Sequence, residues 1–142
     1  MKNVIILSVL LLVSISMVGC GQNQSNDESM DDAPEVIQVA TVNSIDAETA
    51  IEMMASGEDF ILVDVRTQAE FDEGHIEGAL LLPVDQIETL SVEQLPNKDA
   101  VVLVYCRSGN RSDQASKILV DLGYQNVYDF GGIIDWPGEI VK

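Results

Sequence analysis

The chain has 142 residues, with 7 basic and 24 acidic side chains and a formal net charge of -17. This length accommodates one small hydrophobic core, and we find no internal repeat. Nucleic acid and anionic lipid head groups are poor partners for so acidic a chain, because like charges repel. Composition therefore favours one acidic domain and disfavours nucleic-acid binding.

The first 19 residues predict a targeting segment rather than part of the fold. Lys2 is basic, and an apolar run extends from Val4 to Val18. A run of about 15 residues is short for a membrane span, which needs roughly 20. The segment Met17-Val18-Gly19-Cys20 resembles a bacterial lipobox, in which the cysteine is lipidated. We expect residues 1–19 to be a lipoprotein signal peptide and Cys20 to carry the lipid, with an uncleaved anchor helix as the alternative.

Residues 20–35 predict a flexible tether. The acids of this stretch include Asp27, Glu28, Asp31 and Asp32, and Met30 is its large apolar residue. Such a segment cannot bury enough apolar surface to fold. Together with the lipid on Cys20, it predicts a domain that is membrane-anchored and extracytoplasmic, facing the periplasm or the cell surface.

From residue 36 to residue 142, short apolar runs alternate with segments of helical periodicity. The expected elements are a helix after Asp46, a short helix with Arg66 and Glu70 at its start, a helix over Gln86–Leu90, a buried strand over residues 100–105 with a helix behind it, and a strand over Val127–Phe130. This alternation indicates an α/β fold with about five strands in a mostly parallel sheet and helices on both faces.

The strand over residues 100–105 leads into the most informative loop of the chain. The loop reads Cys106-Arg107-Ser108-Gly109-Asn110-Arg111-Ser112. Backbone NH groups of a tight loop, and the positive end of the helix that follows, form an anion site. A thiol in such a site is stabilised as the thiolate, and two arginines strengthen the effect. Cys106 is the candidate nucleophile, although a buried, inert cysteine is the alternative.

Cysteine counting supports a reactive thiol. If Cys20 is lipidated, Cys106 is the one remaining thiol of an extracytoplasmic protein, where paired cysteines would be usual. The sequence has no CxxC pair and no cluster of histidine and cysteine, so we expect no metal site.

An ordered series of motifs accompanies this loop. In chain order the motifs are Leu62-Val63-Asp64-Val65-Arg66, Glu70-Phe71, Gly74-His75-Ile76-Glu77-Gly78-Ala79, Leu82-Pro83, the Cys106 loop, and Gly131-Gly132 with Trp136. In this order they resemble the single-domain rhodanese-like sulfurtransferases, over most of the chain from about residue 36. The resemblance implies that a sulfane sulfur is transferred through a persulfide on Cys106, without a cofactor.

The resemblance also implies the reactants. A small sulfur-containing anion such as thiosulfate would be the donor, and Arg107 and Arg111 would hold its sulfonate end. Cyanide, a small thiol or a protein thiol would be the acceptor. We expect the domain to work as a monomer.

Four further residues are candidates for supporting roles. Asp64 is expected to be hydrogen-bonded beneath the active loop, and Arg66 to pair with Glu70 four residues later. In the resembling family, the histidine corresponding to His75 belongs to a turn that supports the fold, whereas a Cys–His pair with Cys106 is the mechanistic alternative.

Two other functions remain open. Cysteine phosphatases and arsenate reductases use a similar loop with five residues between cysteine and arginine, whereas four intervene between Cys106 and Arg111 here. The smaller ring suits one sulfur atom better than a tetrahedral oxyanion. A tethered binding or persulfide-carrier module with little turnover is the second alternative.

The lipid anchor can be tested directly. Cys20→Ser should remove the lipid-bearing thiol, so the protein should be released or misprocessed and should no longer partition into the detergent phase. Partitioning equal to that of the wild type would indicate an uncleaved helix instead.

Overall fold

A computed structural model describes residues 39–142. Their elements in chain order are β1 (Val42–Ser44), α1 (Ala47–Ala55), β2 (Phe60–Asp64), α2 (Gln68–Glu73), β3 (His75–Ile76), β4 (Leu80–Leu81), α3 (Ile87–Gln94), β5 (Val101–Cys106), α4 (Asn110–Asp121), β6 (Asn126–Gly132) and β7 (Ile140–Val141). The predicted signal peptide, Cys20 and the tether lie outside the described residues. Within residues 39–142, no helix is long and apolar enough to cross a membrane.

Five of the strands form one parallel sheet in the order β1-β6-β5-β2-β4. The two remaining strands, β3 and β7, pair antiparallel as a separate ribbon, in which His75 lies opposite Val141. The prediction of an α/β fold with about five parallel strands is confirmed. The ribbon was not predicted, because strands of two residues have no periodicity that a sequence can reveal.

Helices cover both faces of the sheet, as predicted. Successive side chains of a strand point to opposite faces. Accordingly, Val104 of β5 packs in one core cluster with Leu119 of α4, whereas Leu103 packs in a second cluster with Ala50 of α1. The two clusters lie on opposite sides of β5, so the strand that carries Cys106 is buried on both faces.

Side-chain caps set the starts of α1 and α2. The Asp46 carboxylate accepts a hydrogen bond from the Thr49 backbone NH at 2.8 Å, so α1 begins where predicted. Helix α2 begins later than predicted. Its N-cap is Thr67, because Thr67 and Glu70 form a reciprocal capping box. Arg66 therefore lies before the helix. Helix α3 continues to Gln94, beyond the predicted Leu90.

The parallel arrangement brings three strand ends together. The carboxyl ends of neighbouring parallel strands lie at one edge of a sheet, which is where ligands bind in open α/β folds. Here Asp64 at the end of β2 is in register with Tyr105, and Cys106 is in register with Gly132 at the end of β6. The Cys106 loop therefore lies between the ends of β2 and β6.

The buried Tyr124 side chain connects the turn after α4 to α3 by hydrogen bonds, and its contribution to stability can be measured. The Tyr124 hydroxyl is fully buried and lies 2.8 Å from the backbone oxygens of both Ser91 and Leu95. Tyr124→Phe should lower the free energy of unfolding by about 1–3 kcal/mol, because buried carbonyl groups lose a donor. Urea unfolding would measure this loss, with Tyr128→Phe at a half-buried position as the matched control. Equal stability of the two variants would contradict the assignment.

Candidate active site

Strand β5 delivers Cys106 to the active edge as its last residue. The residue is 1% exposed, and its thiol is free. Only Arg107, Ser108 and Gly109 separate the strand from α4, which begins at Asn110. The first turn of the helix is therefore part of the ring around the sulfur.

A glycine conformation closes this ring. Gly109 has φ of 98°, a left-handed conformation that residues with a side chain rarely adopt. Its backbone NH lies 3.1 Å from the Cys106 Sγ and donates to it. The turn at Gly109 therefore directs an NH group at the sulfur.

The loop makes Cys106 a better acid. Burial raises the pKa of the Cys106 thiol, but the backbone NH groups of Ser112, Ser108 and Gly109, together with the Ser112 hydroxyl, lower it by more. The pKa of the thiol therefore lies below its ordinary value, and the thiolate forms at lower pH than it would in a free cysteine. Hydrogen bonds to the charged form cause this shift.

Ser112 has competing acceptors for its hydroxyl proton. Its Oγ lies 2.9 Å from the Gly109 carbonyl oxygen and 3.2 Å from the Gly131 carbonyl oxygen, and it also faces Cys106. A hydroxyl has one proton, so it cannot donate fully to all three. Negative charge on the sulfur would draw this proton toward Cys106, since bonds to charged acceptors are the stronger ones.

The end of β6 is in close contact with the active loop. Val104 pairs with Asp129 and Cys106 pairs with Gly132, so the one residue between them on β5 lies opposite two residues of β6. A Cβ at Gly132 would lie 2.5 Å from the Arg107 carbonyl oxygen, which no side chain could occupy without movement. The absence of a side chain at Gly132 therefore allows β6 to approach the active loop closely.

Arg111 is not free. Its guanidinium makes two short bonds to the Glu70 carboxylate, at 2.6 and 2.7 Å. The Arg111 hydrogen bonds lower the pKa of Glu70 to about 2, against the opposing effect of burial. Because the folded-state pKa is depressed, the pair stabilises the fold above the ordinary carboxyl range and loses this effect as pH falls toward 2.

Arg66 pairs with a different residue from the one predicted. It forms a buried ion pair with Asp64, with nitrogen-to-oxygen distances of 2.6 to 3.0 Å, and also donates to the Gly74 carbonyl oxygen at 2.8 Å. The predicted pair of Arg66 and Glu70 is wrong, because Glu70 turns away to Thr67 and Arg111. Asp64 is buried as expected, but its partner is Arg66.

His75 lies in the ribbon at the start of β3. Its ring stacks on Phe71 with 3.7 Å between centroids, and its Nδ1 lies 3.1 Å from the Phe71 carbonyl oxygen. These contacts join β3 to α2. Within residues 39–142 no hydrogen bond links His75 to Cys106, so this geometry does not favour a Cys–His pair.

The Rhodanese-like domain family matches residues 46–139, which include the whole loop and both flanking strands. The chain belongs to the rhodanese-like family.

Similar proteins agree with this membership. A sulfurtransferase of Allochromatium vinosum is 46% identical over 96 residues, which are 67% of this chain and 88% of that protein. Thiosulfate sulfurtransferase PspE of Escherichia coli is 34% identical over 80 residues, 56% of this chain and 77% of that protein. A solved structure described as rhodanese with anions from E. coli has 32% identity and a TM-score of 0.57, covering 59% of this chain and 99% of that one. These likenesses support a rhodanese-type sulfurtransferase.

Sequence reasoning missed two contributors to this rhodanese-like site. The Tyr105 hydroxyl accepts a hydrogen bond from the Ile76 backbone NH at 3.1 Å, which attaches the ribbon to β5. The capping box of Thr67 and Glu70 orients the carboxylate that holds Arg111. The spacing Thr-x-x-Glu is visible in the sequence and could have indicated the capping box.

The role of Ser112 can be tested through the acidity of Cys106. Ser112→Ala removes a hydroxyl donor and keeps the backbone NH, so the pKa of Cys106 should rise toward its ordinary value. The pH dependence of alkylation by iodoacetamide would show a midpoint at higher pH than in the wild type. Ser116→Ala, a buried position on the same helix, is the matched control and should leave the midpoint unchanged. An unchanged midpoint in Ser112→Ala would rule out the hydroxyl as a donor to the sulfur.

Proposed function

We propose that this protein transfers the outer sulfur of thiosulfate, or of a similar sulfane donor, to a thiophilic acceptor. The Cys106 thiolate attacks the outer sulfur of the donor and forms a new S–S bond. The original S–S bond of the donor breaks, and sulfite leaves with its electron pair. A second nucleophile, such as cyanide or a thiolate, then attacks the terminal sulfur of the persulfide and returns Cys106 to the thiolate. No cofactor takes part.

The observation that carries the proposal is the ring of hydrogen-bond donors around Cys106. The NH groups that lower the pKa of the thiol are fixed before any reactant arrives. A persulfide places its terminal, negatively charged sulfur one bond further out, toward the middle of the same ring. Donors that are already oriented toward developing charge stabilise it without reorganisation.

The two loop arginines would have different roles in this reaction. Arg107 is exposed and takes part in none of the ion pairs found within residues 39–142, so it is free to contact the sulfonate end of the donor. Arg111 is bound to Glu70 and would act mainly by keeping positive charge beside the sulfur. Arg107 is therefore the stronger candidate for donor recognition.

The alternatives have less support. Phosphatase or arsenate reductase chemistry would need room for a tetrahedral oxyanion, whereas four residues separate Cys106 from Arg111 and membership of the rhodanese-like family favours sulfur transfer. A low-turnover persulfide carrier would use the same Cys106 chemistry. We further propose that the domain works outside the cytoplasm, attached to a membrane through Cys20.

Substitution of the nucleophile tests the proposal. Cys106→Ser should reduce thiosulfate-to-cyanide transfer by roughly 100-fold or more, because serine cannot form the covalent sulfur intermediate. Thermal unfolding should be nearly unchanged, since the side chains have almost the same shape. Mass spectrometry of the wild type after thiosulfate treatment should show one added sulfur atom, which cyanide removes. Transfer by Cys106→Ser at a substantial fraction of the wild-type rate would overturn the proposal.

A further inference from the structure

A cavity of about 250 Å³ lies beside the active loop and has no part in the chemistry described so far. One wall is α2, which contributes Glu70 and Glu73. A second wall is apolar and consists of Ile133 and Ile134, which follow β6, and Ile140 of β7. The cavity is therefore amphipathic, with both carboxylates and aliphatic side chains in its lining.

Both walls are attached to the loop that carries Cys106. On the helical side, Glu70 holds Arg111 at 2.6 Å. On the apolar side, the Ile134 backbone NH donates to the Arg107 carbonyl oxygen at 3.3 Å. A molecule in the cavity would therefore lie against residues that bond directly to the active loop.

The charges that line the cavity leave one carboxylate without a counter-ion. Arg66 also lines it, but Arg66 is neutralised by Asp64, and Glu70 is neutralised by Arg111. Glu73 is exposed and belongs to none of the ion pairs found within residues 39–142. The cavity thus presents one net negative charge.

The apolar wall is accessible to a ligand. Ile134 is 63% exposed and Ile140 is 45% exposed, and they belong to the few large apolar side chains that reach solvent in the described part of the chain. Binding is stabilised when a ligand covers exposed aliphatic surface, by about 25 cal/mol for each Å² buried. A dianionic donor would gain little here, because Glu73 would repel it.

From this arrangement we infer that the cavity is the subsite of the sulfur acceptor and that it selects a small aliphatic thiol carrying an ammonium group. The ammonium would lie against Glu73, and the carbon chain against the isoleucines. The acceptor thiolate would attack the terminal sulfur of the Cys106 persulfide, the Cys106 S–S bond would break, and Cys106 would leave as the thiolate. The acceptor would depart as a persulfide. This inference rests on the proposed sulfur transfer and specifies its second half-reaction.

The test separates the two half-reactions. The enzyme is loaded with thiosulfate, freed of donor, and assayed for persulfide by mass spectrometry. The loaded enzyme is then mixed with cysteamine, 2-mercaptoethanol or mercaptoacetate, which are cationic, neutral and anionic thiols of similar size. Samples are quenched at set times to follow loss of the added sulfur, and rate constants are expressed per thiolate to remove differences in ionised fraction. Because thiolate nucleophilicity still rises with thiol pKa, each variant is compared with the wild type for the same thiol.

Compared with Glu73→Gln, the wild type should react faster with cysteamine and more slowly with mercaptoacetate. Glu73→Gln should reduce the ratio of the cysteamine rate to the 2-mercaptoethanol rate by roughly 2- to 5-fold, the range expected for loss of one exposed ion pair. Glu77→Gln, at an exposed acid that does not line the cavity, is the matched control and should keep the wild-type ratio. Ile134→Ser should slow all three thiols, because they share the aliphatic contact.

The possible failures are distinguishable. If the wild type gains no sulfur from thiosulfate, the proposed function falls, and the acceptor subsite falls with it. If the persulfide forms but the ratio of the cysteamine rate to the 2-mercaptoethanol rate is the same in the wild type and in Glu73→Gln, the acceptor subsite alone is overturned. An equal change of ratio in Glu77→Gln would also overturn it, since the preference would then come from the overall charge of the domain.

Discussion

The contact between the end of β6 and the loop after Cys106 is the constraint on which the active site depends. Because Gly132 has no side chain, its backbone approaches Arg107 and Ser108 more closely than any other residue would allow. The Ile134 NH then bonds to the Arg107 carbonyl oxygen and holds the loop against β6. A loop held in this way keeps its NH groups directed at the sulfur, so the protein needs no reorganisation when charge develops there.

This dependence on backbone dipoles explains how an acidic protein can hold a thiolate. The chain has 24 acidic and 7 basic side chains, so its long-range field opposes a negative sulfur. Salt screens charges that lie beyond about 8 Å at physiological ionic strength, whereas hydrogen bonds act at contact distance. The short-range donors therefore dominate, and the pKa of Cys106 is lowered despite burial and the surrounding acids. Arg111 lies beside Cys106, but its pairing with Glu70 weakens the positive field that it adds there.

Sequence reasoning succeeded where the signal was local. The strand before Cys106, the helix after it and the cap at Asp46 depend on neighbouring residues, and the sheet followed from their alternation. Sequence reasoning failed for an ion pair whose partners are distant in the chain. Glu70 lies 41 residues from Arg111 and only four from Arg66, yet it binds the distant residue. Helical spacing favoured the wrong pair, because Arg66 precedes α2 and bonds instead to the buried Asp64, two residues before it.

Helix α2 connects the two sides of the site, although it has only six residues. Glu70 bonds to the Thr67 backbone NH at 3.1 Å while it holds Arg111, so the start of the helix and the active loop share one carboxylate. Glu73 is three residues further on, and residues at this spacing lie on the same face of a helix. One helical turn therefore carries both the carboxylate that fixes the sulfur loop and the carboxylate that would select the acceptor. Any movement of α2 would therefore change both steps, and the cap at Thr67 together with the buried pair of Arg66 and Asp64 holds the start of the helix in place.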